Sequence, residues 1–97
     1  MLLRNDPALV ESVRAEALTG NPHAQYALGL IYAEGRGVKL DRAESYAWLT
    51  LAVMQGDREA EVLRTIVGIE LDDTEFANGK RLAGELARQI EHNHDAH

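Results

Sequence analysis

The chain is 97 residues long, 45% hydrophobic and 27% charged, and carries a formal net charge of −6. That length suits one domain, and the balance is that of a globular protein rather than a disordered one. The chain has no cysteine, which excludes disulfides and thiolate metal sites and suits a reducing compartment.

No apolar run approaches the ~18 residues needed to span a bilayer. The first residues, Met1-Leu2-Leu3-Arg4-Asn5-Asp6-Pro7, lack the apolar stretch of a secretory signal. A cytoplasmic location is therefore expected. An acidic chain is repelled by phosphate backbones, and Lys80-Arg81 is the only adjacent basic pair, so nucleic acid is not an expected partner.

The first helix is predicted over about 7–19. Asp6 supplies a side-chain acceptor at the N-cap and Pro7 fits the first helical position. Leu9, Val13 and Ala17 face inward, with Glu11, Arg14 and Glu16 outward. Gly20 stops it, and Asn21-Pro22 repeats the start signal for a second helix over 22–34. Gly35-Arg36-Gly37 then makes a sharp reversal.

The third helix, over 41–55, opens on Asp41 with Glu44 three residues on, the spacing of a capping box. Its stretch Tyr46-Ala47-Trp48-Leu49-Thr50-Leu51-Ala52-Val53-Met54 is apolar nearly all round, so other elements must cover it on several sides. Gly56 and Asp57 mark the change to a fourth helix over 57–70. Asp72-Asp73-Thr74-Glu75 opens a fifth over 73–91, whose single stripe of Phe76, Ala83, Leu86 and Ile90 suits an outer, covering helix. No segment alternates with the two-residue period of a half-buried strand. The fold class is all-α.

Gly20-Asn21-Pro22-His23-Ala24 aligns with Gly56-Asp57-Arg58-Glu59-Ala60 at an offset of 36 residues. A fixed period in the range of ~20–50 residues marks a solenoid, in which each helix pair buries its apolar face against the next. Between the two marks stand Leu28-Gly29-Leu30-Ile31-Tyr32, Gly35-Arg36-Gly37-Val38, then Asp41, Trp48, Ala52 and Gly56. This pattern resembles a Sel-one-like repeat, a relative of the tetratricopeptide repeat. Ser45 departs from it, standing where the family usually has Ala. So does the second repeat, where Arg64, Thr65 and Gly68 replace Leu28, Gly29 and Tyr32.

The resemblance implies an α-α superhelix of about five antiparallel helices in a single domain over 1–97. One full repeat spans about 21–56 and partial repeats flank it. Gly29, lacking a side chain, lets the facing helix approach near Ala47 or Ala52. Tyr32 and Trp48 bring large apolar area with polar tips that need partners, and Val38 pins the glycine-rich turn.

The resemblance also implies a protein–protein interaction module, an adaptor or regulatory scaffold in a bacterial-type complex, with no catalytic residue and no cofactor. In related repeats the first helix of each pair lines a concave face. Carried over, that face offers His23, Tyr26, Leu30 and Glu34 from the second helix. The fourth helix offers Glu59, Val62, Ile66 and Glu70, each set lying along one helical side. Two alternatives stand beside a foreign protein partner. Tyr26, Leu30, Val62 and Ile66 are core residues, or they are buried against a second copy in a homodimer.

The terminus Glu91-His92-Asn93-His94-Asp95-Ala96-His97 holds imidazoles that could ligate a divalent metal, but it reads as a frayed, solvated tail over 92–97 with no metal site. Asp72-Asp73 is a carboxylate pair at a helix start, where acids stabilise the helix dipole. No serine or threonine stands in a recognisable motif with a histidine and an acid, so site chemistry supports no enzyme.

Overall fold

The computed structural model describes residues 6–95, and the expectations for Met1–Asn5 and for Ala96 and His97 lie outside them. Five helices follow one another: α1 (Pro7–Ala17), α2 (Pro22–Glu34), α3 (Arg42–Met54), α4 (Arg58–Ile69) and α5 (Asp73–Asp95). No strand occurs among the described residues.

The starts form as local chemistry dictates. The side chains of Asp6, Asn21, Asp41 and Asp57 each accept from a backbone N–H of the first turn that follows. At α5 the capping box closes in both directions. Glu75 N donates to Asp72 at 2.7 Å, and Asp72 N donates to the Glu75 carboxylate at 3.0 Å. At α3 it does not close. Glu44 N donates to Asp41, but the Glu44 carboxylate turns inward and accepts from Trp48 Nε1 at 3.2 Å. Gly35 ends α2 in the left-handed region, at φ 68°, and its N–H donates to the Ile31 carbonyl.

α3 is the central element, packed against α2, α4 and α5, while α1 packs on α2. Two core clusters lie on opposite sides of it. Trp48, Ala47 and Leu51 join α1, α2 and α5 through Val10, Ala17, Leu28, Ile31, Tyr32, Ala83 and Leu86. Leu49 and Ala52 join α4 through Ala60 and Val67. The apolar girdle of α3 thus reports that three helices cover it. Trp48 and Leu49 are both fully buried, although adjacent in sequence, because each faces a different cluster.

Facing residues give the directions. Gly29 meets Ser45 and Leu49, and Gln25 meets Gln55, so α2 and α3 run antiparallel. Gly68 lies against Tyr46 and Arg64 reaches Thr50, so α4 is antiparallel to α3 as well. Phe76 and Gly79 meet Tyr46 near the start of α3, while Ala87 and Ile90 line one hollow together with Leu51 and Met54 near its end. α5 therefore runs alongside α3 in the same direction.

Three expectations are corrected. In α1 the buried residue is Val10 rather than Leu9, which is only half-buried. Val10 and Ala17 are seven apart, nearly two full turns, so they share one line along the helix. Gly29 makes room for Leu49 rather than for Ala47 or Ala52: a Cβ placed there would lie 2.4 Å from Leu49 Cδ2.

The third concerns the expected frayed tail. Residues 92–95 are helical, and α5 docks its end onto the α1–α2 turn. There Asn93 Nδ2 donates to the Leu18 carbonyl at 3.4 Å, and His94 Nε2 lies 2.7 Å from the Thr19 carbonyl. Those carbonyls sit where α1 has ended and lack helical donors, which is what the polar residues of the terminus supply.

Candidate functional site: the outer face of α2 and α4

α4 turns two apolar sides in different directions. Ala60, Leu63 and Val67 pack on α3, while Val62, Ile66 and Ile69 are 63%, 55% and 79% exposed. Spacings of four and three place these three residues on one line along α4. Beside that line, Tyr26 of α2 and Glu59, Val62, Leu63 and Ile66 of α4 enclose a concavity of about 320 Å³.

The eight residues expected to line a groove are thus brought together in part. Tyr26, Glu59, Val62 and Ile66 share one concavity, and Val62 and Ile66 are not core. His23 is exposed on the rim of a second hollow, of about 390 Å³, which Glu59 also lines together with Gly56, Asp57 and Arg58. Leu30 is half-buried on α2. Glu34 and Glu70 stand at the far ends and are engaged by cations, Glu34 by Arg36 and Glu70 by Arg42 at 3.1 Å. Both pairs are well exposed, where such contacts contribute little. Sequence reasoning missed Leu63 in the wall and Ile69 on the exposed line. The signal for Ile69 was its seven-residue distance from Val62.

Charge is uneven along α4 and the turn that follows it. The start of α4 carries Asp57, Glu59 and Glu61 against the single cation Arg58. Beyond its end lie Glu70, Asp72 and Asp73, with Arg42 reaching in from α3. The side of α4 nearer α5 differs. There Arg64 stands over the Tyr46 ring at 5.7 Å, Tyr46 meets Phe76 edge-on with ring centres 5.4 Å apart, and Lys80 lies over Phe76 at 5.2 Å.

The polar tips in the core are satisfied locally. The Tyr32 hydroxyl accepts from the Arg14 guanidinium. Arg14 in turn approaches Glu44 at 3.8 Å, the carboxylate that holds Trp48. Burial pushes the Tyr32 hydroxyl above its ordinary pKa, and the adjacent Arg14 charge opposes that shift without cancelling it. A third hollow, of about 270 Å³, lies where the end of α5 meets the α1–α2 turn, with Gln25, Met54 and His94 in its wall. Among the described residues no three His, Asp or Glu side chains stand close enough together to hold a metal ion. No helix among them is long and apolar enough to cross a membrane.

A helix pair in close contact at Gly29, followed by a third helix laid on the pair, is the building unit of a helical repeat protein. The Sel1 repeat family matches residues 22–57, from the first residue of α2 to the N-cap of α4. The chain carries a Sel1 repeat over those residues, and this supports a Sel1-like repeat helical protein. Among curated proteins it is similar to the alginate biosynthesis protein AlgK of Azotobacter vinelandii, 34% identical over 73 residues. That match takes in 75% of this chain but only 16% of AlgK, so the chain spans about one sixth of that relative's length. No solved structure matches it significantly. Sel1 repeats are in general protein–protein interaction modules, and the family is generally non-catalytic.

Proposed function

We propose that this chain is a non-catalytic adaptor whose α2–α4 face receives a segment of another protein. The observation that carries the reading is the line Val62, Ile66 and Ile69. Three large aliphatic side chains on one helix are left open to water beside a concavity, while the opposite side of the same helix is core. Contiguous exposed apolar surface of this kind marks interaction sites. Tyr26 supports the reading, since an aromatic side chain in a groove wall offers large contact area at low entropic cost.

The test is a photoactivatable residue placed at Val62 or Ile66 and, as a control, at Arg88 on α5. Irradiation in the native cell should give a discrete protein adduct from the first two positions and none from the third. Equal labelling from all three would sink the reading. An adduct of twice the chain's own mass, containing only this sequence, would replace it with self-association.

A further inference from the structure

We infer that the partner segment is an amphipathic helix with an apolar stripe and basic ends, seated along α4. This inference rests on the α2–α4 face being the binding surface. The backbone of this face favours a helical occupant. α2 and α4 are helices with their peptide groups already bonded within themselves, so the face has no strand edge to pair with an extended peptide. A helical partner brings its own backbone satisfied and needs only side-chain contact. Val62, Ile66 and Ile69, at spacings of four and three, present the kind of ridge into which a second helix packs.

Charge sets the ends of that helix. Asp57, Glu59 and Glu61 outnumber Arg58 at the start of α4, and Glu70, Asp72 and Asp73, with Arg42 paired to Glu70, follow its end. Both ends of the apolar stripe are thus net acidic, within a chain of net charge −6. A partner matched to that pattern carries Lys or Arg at both ends and aliphatic residues between them. The 12 residues of α4 extend over ~18 Å, so about 12–16 residues of helix suffice. A second copy of this chain is a poor occupant, because its α4 would bring the same excess of carboxylates to the ridge.

The probe is a labelled 16-residue helical peptide with Leu at i, i+4, i+7 and i+11 and two Lys at each end. A companion peptide carries Glu in place of every Lys. Binding is read by fluorescence anisotropy against wild type and against Val62→Asp/Ile66→Asp, with circular dichroism confirming that the variant is folded. The lysine peptide should bind wild type at least tenfold more tightly than the glutamate peptide. The double variant should lose that binding tenfold or more, even though its two added carboxylates would strengthen plain attraction of a cation. If the glutamate peptide binds as tightly and is equally sensitive to the double substitution, the basic-partner inference is overturned and the groove stands. If neither peptide binds, or if the variant binds the lysine peptide as well as wild type does, the inference and the groove reading fall together. Ile69→Asp gives the same comparison if the double variant proves unfolded.

Discussion

The Ser45 hydroxyl donates a 2.6 Å hydrogen bond to the Gly29 carbonyl inside the contact between α2 and α3, and both residues are buried. A second bond is added to a helical carbonyl where Gly29 packs against Leu49. Ser45→Ala removes the hydroxyl but leaves the carbonyl its helical partner. The expected loss is about 1 kcal/mol, read as a lowered urea midpoint with an unchanged slope. No measurable loss would show that the bond contributes nothing beyond packing.

Gly29→Ala should be destabilising, although alanine is the better helix former. The new Cβ would lie within 2.5 Å of both Leu49 Cδ2 and Cγ, and Leu49 is fully buried. Overpacking of this kind costs about 1–3 kcal/mol, against a propensity gain of about 1 kcal/mol. Gly29→Leu should unfold the chain. A Gly29→Ala protein more stable than wild type would refute the close-contact account.

Ile66 and Val67 are neighbours on α4 with opposite surroundings, 55% and 4% exposed. Ile66→Asp should leave the thermal midpoint within a few degrees of wild type. Val67→Asp should leave little folded protein, because an unpaired buried carboxylate costs several kcal/mol. Trp48→Ala belongs with Val67→Asp: a fully buried aromatic truncated to alanine loses about 3–5 kcal/mol. If Ile66→Asp and Val67→Asp melt together, the orientation of α4 is wrong.

Truncation after His92 removes Asn93 and His94, and with them the two contacts to the Leu18 and Thr19 carbonyls. These contacts are partly exposed, so about 1 kcal/mol in total is expected to be lost. The effect should be local. Amide exchange should speed up around residues 17–20 while α3 keeps its protection. Unchanged exchange at that turn would mean that the end of α5 does not dock in solution.

Tyr32 gives a pH dependence with a definite sign. Its folded pKa is raised above the ordinary 10.0, chiefly by burial. The associated stability is therefore complete below about pH 10 and is lost as pH rises through the folded value. The advantage of wild type over Tyr32→Phe, measured by urea midpoint, should shrink as pH rises past the ordinary 10.0. A gap that widens with pH would reverse the assignment.

Sequence alone determined the helices and their starts. Asp6, Asn21, Asp41, Asp57 and Asp72 act on amides two or three residues away, and a signal that local does not depend on where the rest of the chain lies. It also determined that α3 is the central helix, since a helix apolar on all sides has no solvent face to spare. Tertiary structure alone decided three other matters. One was which of two apolar lines on α4 stays open: Val62, Ile66 and Ile69 are as hydrophobic as Leu63 and Val67, and only the position of α3 separates them. Another was that Leu49, not an alanine, fills the space at Gly29, because the register between helices is a long-range property. The last was that the polar end of α5 is held by the carbonyls at the end of α1. The binding partners there are backbone groups 75 residues away, and no side-chain pattern announces them.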